Sequence, residues 1–145
     1  MEKSVRITRD EWFMGVALLT SKRSTCLRSR VGAVIVRDKR IISTGYNGSP
    51  VGMPHCTPNT CNSARRCLNT IHAEANAIAF AAKGGIPLEG TKLYCTLSPC
   101  KTCSEMIIQS GIKEVIYMHE YGNDFGLELL RQAKIIVRQY VTNIL

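Results

Sequence analysis

Two short segments of the chain carry the residue types of a hydrolytic zinc site. His72 is followed two residues later by Glu74, and Cys100 and Cys103 stand just after Pro99. Zinc usually takes four ligands, and a catalytic zinc keeps one position open for water. One histidine and two cysteines can supply the other three. The pattern therefore predicts a catalytic zinc held by His72, Cys100 and Cys103.

Glu74 has a separate role in this prediction. It stands too near His72 in sequence for the two to act as ligands one helical turn apart. A carboxylate beside the zinc can instead accept a proton from a water whose pKa the metal lowers to about 7, and pass it to a substrate nitrogen. The alternative is a purely structural zinc site in which Glu74 is an ordinary helix N-terminal carboxylate.

Both motifs begin predicted helices, which favours the catalytic interpretation. An alanine-rich helix follows His72 and ends at Gly84, and a second helix runs from Cys100 to Gln109. At a helix start, the i, i+3 spacing puts the sulfurs of Cys100 and Cys103 on one side. The positive end of the helix favours thiolates. Two helix N-termini that face one metal can therefore supply all three ligands.

The rest of the chain predicts an α/β fold in a single domain, residues 1–145. Thr8 and Glu11 have the spacing of a capping box, and the helix behind them carries Trp12 and Phe13 as predicted core residues. A further helix is predicted from Asp124, and strands are predicted at 31–36, 41–46, 93–97, 114–118 and 135–137. The first two strands form a hairpin. Later strands alternate with helices, which predicts helices on both faces of the sheet and parallel last strands.

A long loop from Asn47 to Thr70 separates the hairpin from the first zinc motif. It is rich in glycine, proline and asparagine, and such a loop is uncommon in a compact domain unless it is functional or tied down. Cysteines in or near it suit a closed structural zinc, with His55 as an alternate ligand: Cys26, Cys56, Cys61 and Cys67. The alternative is that these are free thiols.

Composition narrows the class of protein. The chain has 145 residues, 45% of them hydrophobic and 21% charged, as in a globular domain. No apolar run approaches the roughly 20 residues of a membrane span, and no signal-peptide core follows the N-terminus. Clustered cysteines without a disulfide framework suit a reducing compartment, so we expect a cytoplasmic protein. The net charge of +8 suits anionic partners, with a merely solvated basic surface as the alternative. No arginine-aromatic interleaving indicates a nucleic-acid groove.

The combination of H-x-E with P-C-x-x-C is the signature of zinc deaminases. On these motifs the chain resembles the cytidine/deoxycytidylate deaminase superfamily across nearly its whole length. The Gly-Tyr-Asn-Gly-Ser-Pro segment at 45–50 and the Cys-rich loop make it most similar to the deoxycytidylate (dCMP) branch. Further matching segments lie at 30–35, 71–78, 97–100 and 109–113.

The resemblance implies a fold, a reaction and site residues. The fold is a three-layer α/β/α cytidine-deaminase type with a central mixed five-stranded sheet. The reaction is zinc-dependent deamination of dCMP to dUMP and ammonia, with Glu74 protonating N3 and then the departing amine. Residues implied to contact the substrate are Asn47 at the deoxyribose, the Ala73 N–H at the base carbonyl, Ser98 near the exocyclic amine and Tyr121 near the phosphate. Tyr121 has the alternative of packing on the sheet as a rim aromatic.

The resemblance also implies regulation and assembly. Members of this branch are homohexamers, activated by dCTP and inhibited by dTTP with Mg²⁺, and the effector would lie between subunits. The effector residues that this implies are Asn47, Gly48, Ser49, Gly52 and Lys83. Some members carry an arginine at the position of Lys83. Lysine offers a point charge there, without the bidentate hydrogen bonds of an arginine. The alternative is that Lys83 is a solvated lysine at the end of its helix. Some also carry a structural zinc with a cysteine at the position of Cys26 and variable other ligands.

Two other classes of function share parts of this pattern. A nucleic-acid deaminase of the tRNA adenosine type has the same zinc motif and suits the basic charge. It usually lacks a Cys-rich loop and needs a groove for flanking nucleotides. A non-catalytic zinc interaction module would keep the metal ligands but would have no use for Glu74. The favoured hypothesis remains an enzyme that acts on a free nucleotide.

Overall fold

Four helices and five strands make up the described part of the chain. The structure is a computed structural model that describes residues 5–61, 69–122 and 125–141. In chain order the elements are α1 (Arg9–Ser21), β1 (Gly32–Arg37), β2 (Arg40–Tyr46), α2 (Ala73–Lys83), β3 (Lys92–Leu97), α3 (Lys101–Ser110), β4 (Glu114–His119), α4 (Gly126–Gln132) and β5 (Ile136–Gln139). The helix start predicted at Asp124 lies outside the described residues.

The strands form one mixed sheet in the order β2-β1-β3-β4-β5. Strand β1 is antiparallel to both β2 and β3, while β3, β4 and β5 run parallel. The predicted hairpin turns at Asp38 and Lys39, whose φ angles of 48° and 65° suit a two-residue turn between twisted strands. The predicted five-stranded mixed sheet with parallel last strands is therefore confirmed.

Helices cover both faces of the sheet, because alternate strand residues point to opposite sides. On one face, α1 packs Phe13 and Met14 against side chains that include Val34 and Ile116. On the other face, the remaining helices pack against side chains that include Ile35. The predicted three-layer α/β/α arrangement is confirmed.

Helix α1 begins as predicted, but it buries only one of its two predicted aromatic core residues. Thr8 and Glu11 form a reciprocal capping box. Phe13 is buried, whereas Trp12 is 41% exposed and stacks on the Phe13 ring. The prediction that Trp12 is a core residue is wrong, because consecutive helix positions point about 100° apart and only one of the two can face the sheet. None of the described helices is both long and apolar enough to cross a bilayer.

The fold brings the two zinc motifs to one edge of the sheet. Strand β3 ends at Leu97 and leads directly into the turn before α3, at the carboxyl edge where ligands of open α/β sheets bind. The long loop after β2 returns to the start of α2, and its two ends pair with each other. Gly48 donates its N–H to the Ile71 carbonyl at 3.2 Å and accepts the Ile71 N–H at 2.9 Å.

Candidate active site

Three predicted metal ligands come together at the N-termini of α2 and α3. The Nδ1 atom of His72 lies 3.4 Å from the Sγ atoms of both Cys100 and Cys103, and all three atoms lie within 4.8 Å of one another. In the described ranges this is the one group of three or more His, Cys, Asp or Glu side chains close enough to share an ion. The tertiary structure thus joins His72 to two cysteines that stand 28 and 31 positions away.

The spacing of these atoms fits zinc. Bonds of about 2.3 Å to sulfur and about 2.0–2.1 Å to nitrogen, at a tetrahedral angle, put the nitrogen and sulfur atoms about 3.6 Å apart. The two nitrogen–sulfur distances in the site are both 3.4 Å. Three protein ligands leave the fourth tetrahedral position for water or substrate, as in catalytic sites. The donor set and its geometry therefore fit a catalytic zinc.

Both cysteines lie at the positive end of α3. Cys100 is the N-cap, and its Sγ accepts the backbone N–H of Cys103 at 3.5 Å. A hydrogen bond from the Cys103 thiol, aided by His72, lowers the pKa of Cys100 to about 3. The same shared proton raises the pKa of Cys103. The helix N-terminus and these hydrogen bonds stabilise negative charge on sulfur, the form in which cysteine binds metals.

The carboxyl group of Glu74 is buried beside the ligands. It lies in the first turn of α2, two residues after His72, and is 3% exposed. Burial raises the pKa of Glu74, and hydrogen bonding to backbone and the charge of His72 act in the opposite direction. A carboxyl whose pKa is raised exchanges protons more readily near neutral pH. Glu74 therefore has the position and the environment of a general acid–base.

Helix α2 approaches β2 unusually closely at Gly45. An ideal Cβ atom at Gly45 would overlap the carbonyl oxygen of Ala73 and lie 2.5 Å from the nitrogen of Ala77. Only glycine allows this contact, and a glycine inside a strand often marks such a close backbone approach. The contact fixes the first turn of α2, which carries Glu74.

Two side chains add hydrogen bonds to the same contact. The buried Ser43 hydroxyl donates to the Ala77 carbonyl at 2.7 Å, and Asn76 Nδ2 donates to the Tyr46 carbonyl at 2.9 Å. The sequence did not single out Ser43 or Asn76. In the sequence, Ser43 is marked only as a serine at an inward strand position. Its partner lies 34 residues away, and the partner of Asn76 lies 30 residues away.

Helix α4 supports the turn that carries the cysteine ligands. An ideal Cβ at Gly126 would overlap the Pro99 carbonyl oxygen and lie 2.9 Å from the carbonyl carbon of Cys100. The backbone N–H of Ser104 donates to the Cys100 carbonyl at 2.8 Å from within α3. Cys100 is thus held from two sides. Nothing in the sequence around Gly126 signals this role.

The Asn47 side chain is buried and binds the segment that precedes β1. Its Oδ1 accepts the Val31 N–H at 2.8 Å, and its Nδ2 donates to the Ser29 carbonyl at 2.7 Å. A carboxamide has two N–H donors and two lone pairs on oxygen. One donor and one lone pair therefore remain for the predicted contact with a sugar hydroxyl.

The other predicted substrate residues lie near the ligand group. Ala73 is the first residue of α2, where backbone N–H groups have no acceptor within the helix. Ser98 stands two residues before Cys100, and its Oγ accepts the backbone N–H of Tyr121 at 2.6 Å. The Tyr121 side chain is 45% exposed, so it is not packed into the sheet.

The predicted effector residues lie on two elements. Gly48 and Ser49 lie at the base of the long loop, where the Ser49 N–H donates to Thr25 Oγ1 at 3.2 Å. Gly52 has a φ of 84° in the turn that follows. Lys83 is the last residue of α2. No effector pocket follows from these contacts alone.

The second predicted zinc site is described only in part. Cys67 lies outside the described residues. Cys26 is buried and its Sγ accepts the Arg28 N–H at 3.4 Å, and Cys56 and Cys61 are half-buried. With His55, these described residues do not form a second group of three converging ligands. Cys95 is buried in β3.

Zinc deaminases are the enzymes in which a histidine and two cysteines hold the metal and a glutamate that is not a ligand moves protons. The same residue types lie together in this chain, with His72, Cys100 and Cys103 converging and Glu74 buried beside them. Residues 7–119 match the family described as the cytidine and deoxycytidylate deaminase zinc-binding region. The chain belongs to this family.

Individual relatives agree with this assignment. The chain is 46% identical over 136 residues to ComE operon protein 2 of Bacillus subtilis, covering 92% of this chain and 72% of that protein. It is 44% identical over 142 residues to the deoxycytidylate deaminase of Schizosaccharomyces pombe, covering 91% of this chain but 44% of that enzyme. The dCMP deaminase of cyanophage S-TIM5, solved with dCMP and dUMP, superposes with a TM-score of 0.84 at 34% identity, over 94% of this chain and 100% of that chain.

Proposed function

We propose that this chain catalyses the hydrolytic deamination of dCMP to dUMP and ammonia, and so supplies dUMP for thymidylate synthesis. The observation that carries the proposal is the convergence of His72, Cys100 and Cys103 beside the buried Glu74. Relatives named for dCMP deamination support this substrate. One water is consumed for each ammonia released, because oxygen replaces the amino group at C4 of the cytosine.

The protein's own contribution is to hold the base and move protons. Zinc, when bound by the three ligands, supplies a Lewis acid that lowers the pKa of water. Glu74 accepts a proton from the attacking water and delivers it to N3 of the base. It then takes the second proton from the new hydroxyl group on C4 and passes it to the amine, which leaves as ammonia while the C4 carbonyl forms. Its burial keeps bulk water away from these transfers.

Four further residues are proposed to position the nucleotide. The Ala73 N–H binds the base carbonyl, and the backbone at Ser98 binds the exocyclic amine. The remaining donor and lone pair of Asn47 bind a deoxyribose hydroxyl, and Tyr121 lies near the phosphate. The proximity of Ser98 and Ala73 to the ligand-bearing helix starts supports the first two roles.

A substrate panel tests the proposal. Ammonia release is measured with dCMP, CMP, deoxycytidine, cytidine and a tRNA that carries a wobble adenosine. We expect turnover of dCMP to exceed that of the others. Turnover of tRNA without turnover of dCMP would overturn the proposal in favour of a nucleic-acid deaminase. No turnover of any substrate by zinc-loaded protein would favour a zinc interaction module.

We also propose a second, structural zinc held by Cys26, Cys56, Cys61 and Cys67, with His55 as the alternate to Cys56. The hydrogen bond from the Arg28 N–H to Cys26 Sγ supports a thiolate there. The hydroxyl of the neighbouring Thr25 accepts a hydrogen bond from the Ser49 N–H at the base of the long loop. Cys26 therefore lies close to where this Cys-rich loop starts. Two zinc ions per chain by atomic emission are expected, and one would contradict the proposal.

Assembly and regulation are the last parts of the proposal. We propose a homohexamer that dCTP activates and that dTTP inhibits with Mg²⁺, with the effector bound by Asn47, Gly48, Ser49, Gly52 and Lys83. Exposure of the apolar side chains Val51 and Met53 beside these residues supports a subunit contact at this loop. A cytoplasmic location remains a prediction from the composition.

Mass and kinetics test these points separately. Light scattering should give about 97 kDa, six times the 16.1 kDa of one chain. The rate of dCMP turnover should rise with dCTP and fall with dTTP and Mg²⁺. A monomeric mass would contradict the assembly, and indifference to both nucleotides would contradict the regulation.

A further inference from the structure

Ser98 makes two hydrogen bonds to the segment that leaves β4. Its backbone N–H donates to the His119 carbonyl at 2.8 Å, and its Oγ accepts the Tyr121 N–H at 2.6 Å. Ser98 itself is 4% exposed. A single buried residue therefore binds both ends of the segment from His119 to Tyr121.

These bonds continue the parallel pairing beyond the strands. The last paired residues of β3 and β4 are Leu97 and His119. Past this point the two strands would normally diverge, because the backbone after β3 turns toward Cys100 and the backbone after β4 enters a loop. The Ser98 hydroxyl takes the place of the next backbone acceptor. Tyr121 is thereby kept at the carboxyl edge of the sheet, beside the ligand turn.

Among the described residues, the Ser98 hydroxyl is the acceptor of the Tyr121 N–H. Tyr121 is 45% exposed, so packing fixes its place less firmly than that of a core residue. Without the Ser98 acceptor, the Tyr121 N–H would hydrogen-bond to water, and the segment from His119 to Tyr121 would move outward. The segment contains neither a zinc ligand nor Glu74, so its movement would leave the reacting groups in place.

We propose that the Ser98 hydroxyl is a positioning group that holds Tyr121 as a wall of the nucleotide pocket. This inference rests on the proposed dCMP deaminase function. Because the wall binds substrate and does not take part in proton transfer, its loss raises KM and leaves kcat nearly unchanged.

Four variants test this role through KM and kcat for dCMP. Ser98→Ala is expected to raise KM about tenfold with kcat within about twofold of wild type, whereas Ser98→Thr, which keeps the hydroxyl, should stay within about threefold in KM. Tyr121→Ala should raise KM by a similar factor. In the double variant KM should be no higher than in Tyr121→Ala alone, because both changes disrupt the same pocket wall.

Ser110→Ala is the matched control, because it removes a hydroxyl that donates to the Ile107 carbonyl at 2.8 Å at the far end of α3. It should leave both constants unchanged. Should Ser98→Ala not fold, Ser98→Cys, a weaker acceptor, takes its place in the double variant. A fall in kcat, a loss of zinc, or effects of Ser98 and Tyr121 that multiply would overturn the inference. Absence of dCMP turnover by wild type would instead overturn the proposed function.

Discussion

Gly45 in β2 and Ala73 in α2 lie so close that any side chain at Gly45 would overlap the Ala73 carbonyl oxygen. This contact holds helix α2, which begins just after His72, directly against the sheet. The next residue after Ala73 is the proposed proton carrier, Glu74. The orientation of Glu74 toward the proposed zinc ligands therefore depends on the absence of one methyl group on a neighbouring strand.

Gly45→Ala is expected to impair both folding and turnover. The added Cβ forces α2 away from β2, which should lower the free energy of unfolding by about 2–4 kcal/mol. Turnover of dCMP by the folded fraction should fall at least tenfold, because Glu74 moves with the helix. Urea denaturation and ammonia release measure the two effects.

Gly15→Ala is the control for this prediction. Gly15 lies inside α1 with no atom near an added Cβ. Alanine there should stabilise the fold by about 0.5–1 kcal/mol through helix propensity and leave turnover unchanged. A Gly45→Ala enzyme as stable and as active as wild type would contradict the close contact.

Glu74→Gln should abolish turnover and keep the metal. The amide is nearly isosteric with the carboxyl but cannot accept and return the proton, so kcat should fall by about 10²–10⁴. Zinc content should match wild type, because Glu74 is not a ligand. Glu105→Gln changes an exposed glutamate on α3 that pairs with Lys101 and should keep full activity. Turnover by Glu74→Gln at the wild-type rate would exclude the proton-transfer role.

Cys103→Ala should remove the catalytic zinc. Two remaining protein ligands bind the ion much more weakly than three, so the variant should contain one zinc fewer per chain than wild type and show no turnover. Cys95→Ala removes a buried thiol that is not a ligand. It should lower stability by about 1 kcal/mol without changing the zinc content. Equal zinc in the two variants would contradict the ligand assignment.

Acid should weaken the attachment of α1 to β5. Arg138 of β5 lies 2.6 Å from Asp10 and 2.8 Å from Glu114. Its hydrogen bond lowers the pKa of Asp10 below the ordinary 3.8. At Glu114 burial acts to raise the pKa, but hydrogen bonds from Arg138 and Lys92 outweigh it, and the pKa lies below 4.5. Since both folded pKa values are lowered, this stabilisation is complete above about pH 4.5 and is lost as the pH falls below 3.8 through the folded values.

Arg138→Leu should therefore destabilise the fold more at pH 7 than at pH 3. We expect a loss of about 1–2 kcal/mol at pH 7, a modest figure because the Arg138 side chain is 40% exposed to screening solvent. At pH 3 the difference from wild type should shrink, as the carboxyls begin to protonate in both proteins. Urea denaturation at the two pH values measures it, with Glu105→Gln as a surface control. A difference that stayed constant or grew in acid would contradict the prediction.

The catalytic motifs and the helix starts were predictable because their signals are local. The Thr8 and Glu11 capping box needs two residues three positions apart, and it formed as predicted. Cys100 and Cys103 are likewise joined by the turn of one helix. The prediction that Trp12 is a core residue was wrong, because the sequence does not indicate which of two adjacent aromatic residues faces the sheet.

The sequence by itself predicted the chemistry, through a histidine, two cysteines and a glutamate at the spacing of the zinc deaminase signature, and it predicted the order of strands and helices along the chain through hydrophobic periodicity. Only the tertiary structure decided how that chemistry is held. Gly45 against Ala73, Ser98 against Tyr121, and Arg138 against Asp10 join residues that are 23 to 128 positions apart. Such contacts depend on which strands are neighbours in the sheet and on how closely the elements approach, and a periodic pattern of apolar residues along the chain carries no information about either.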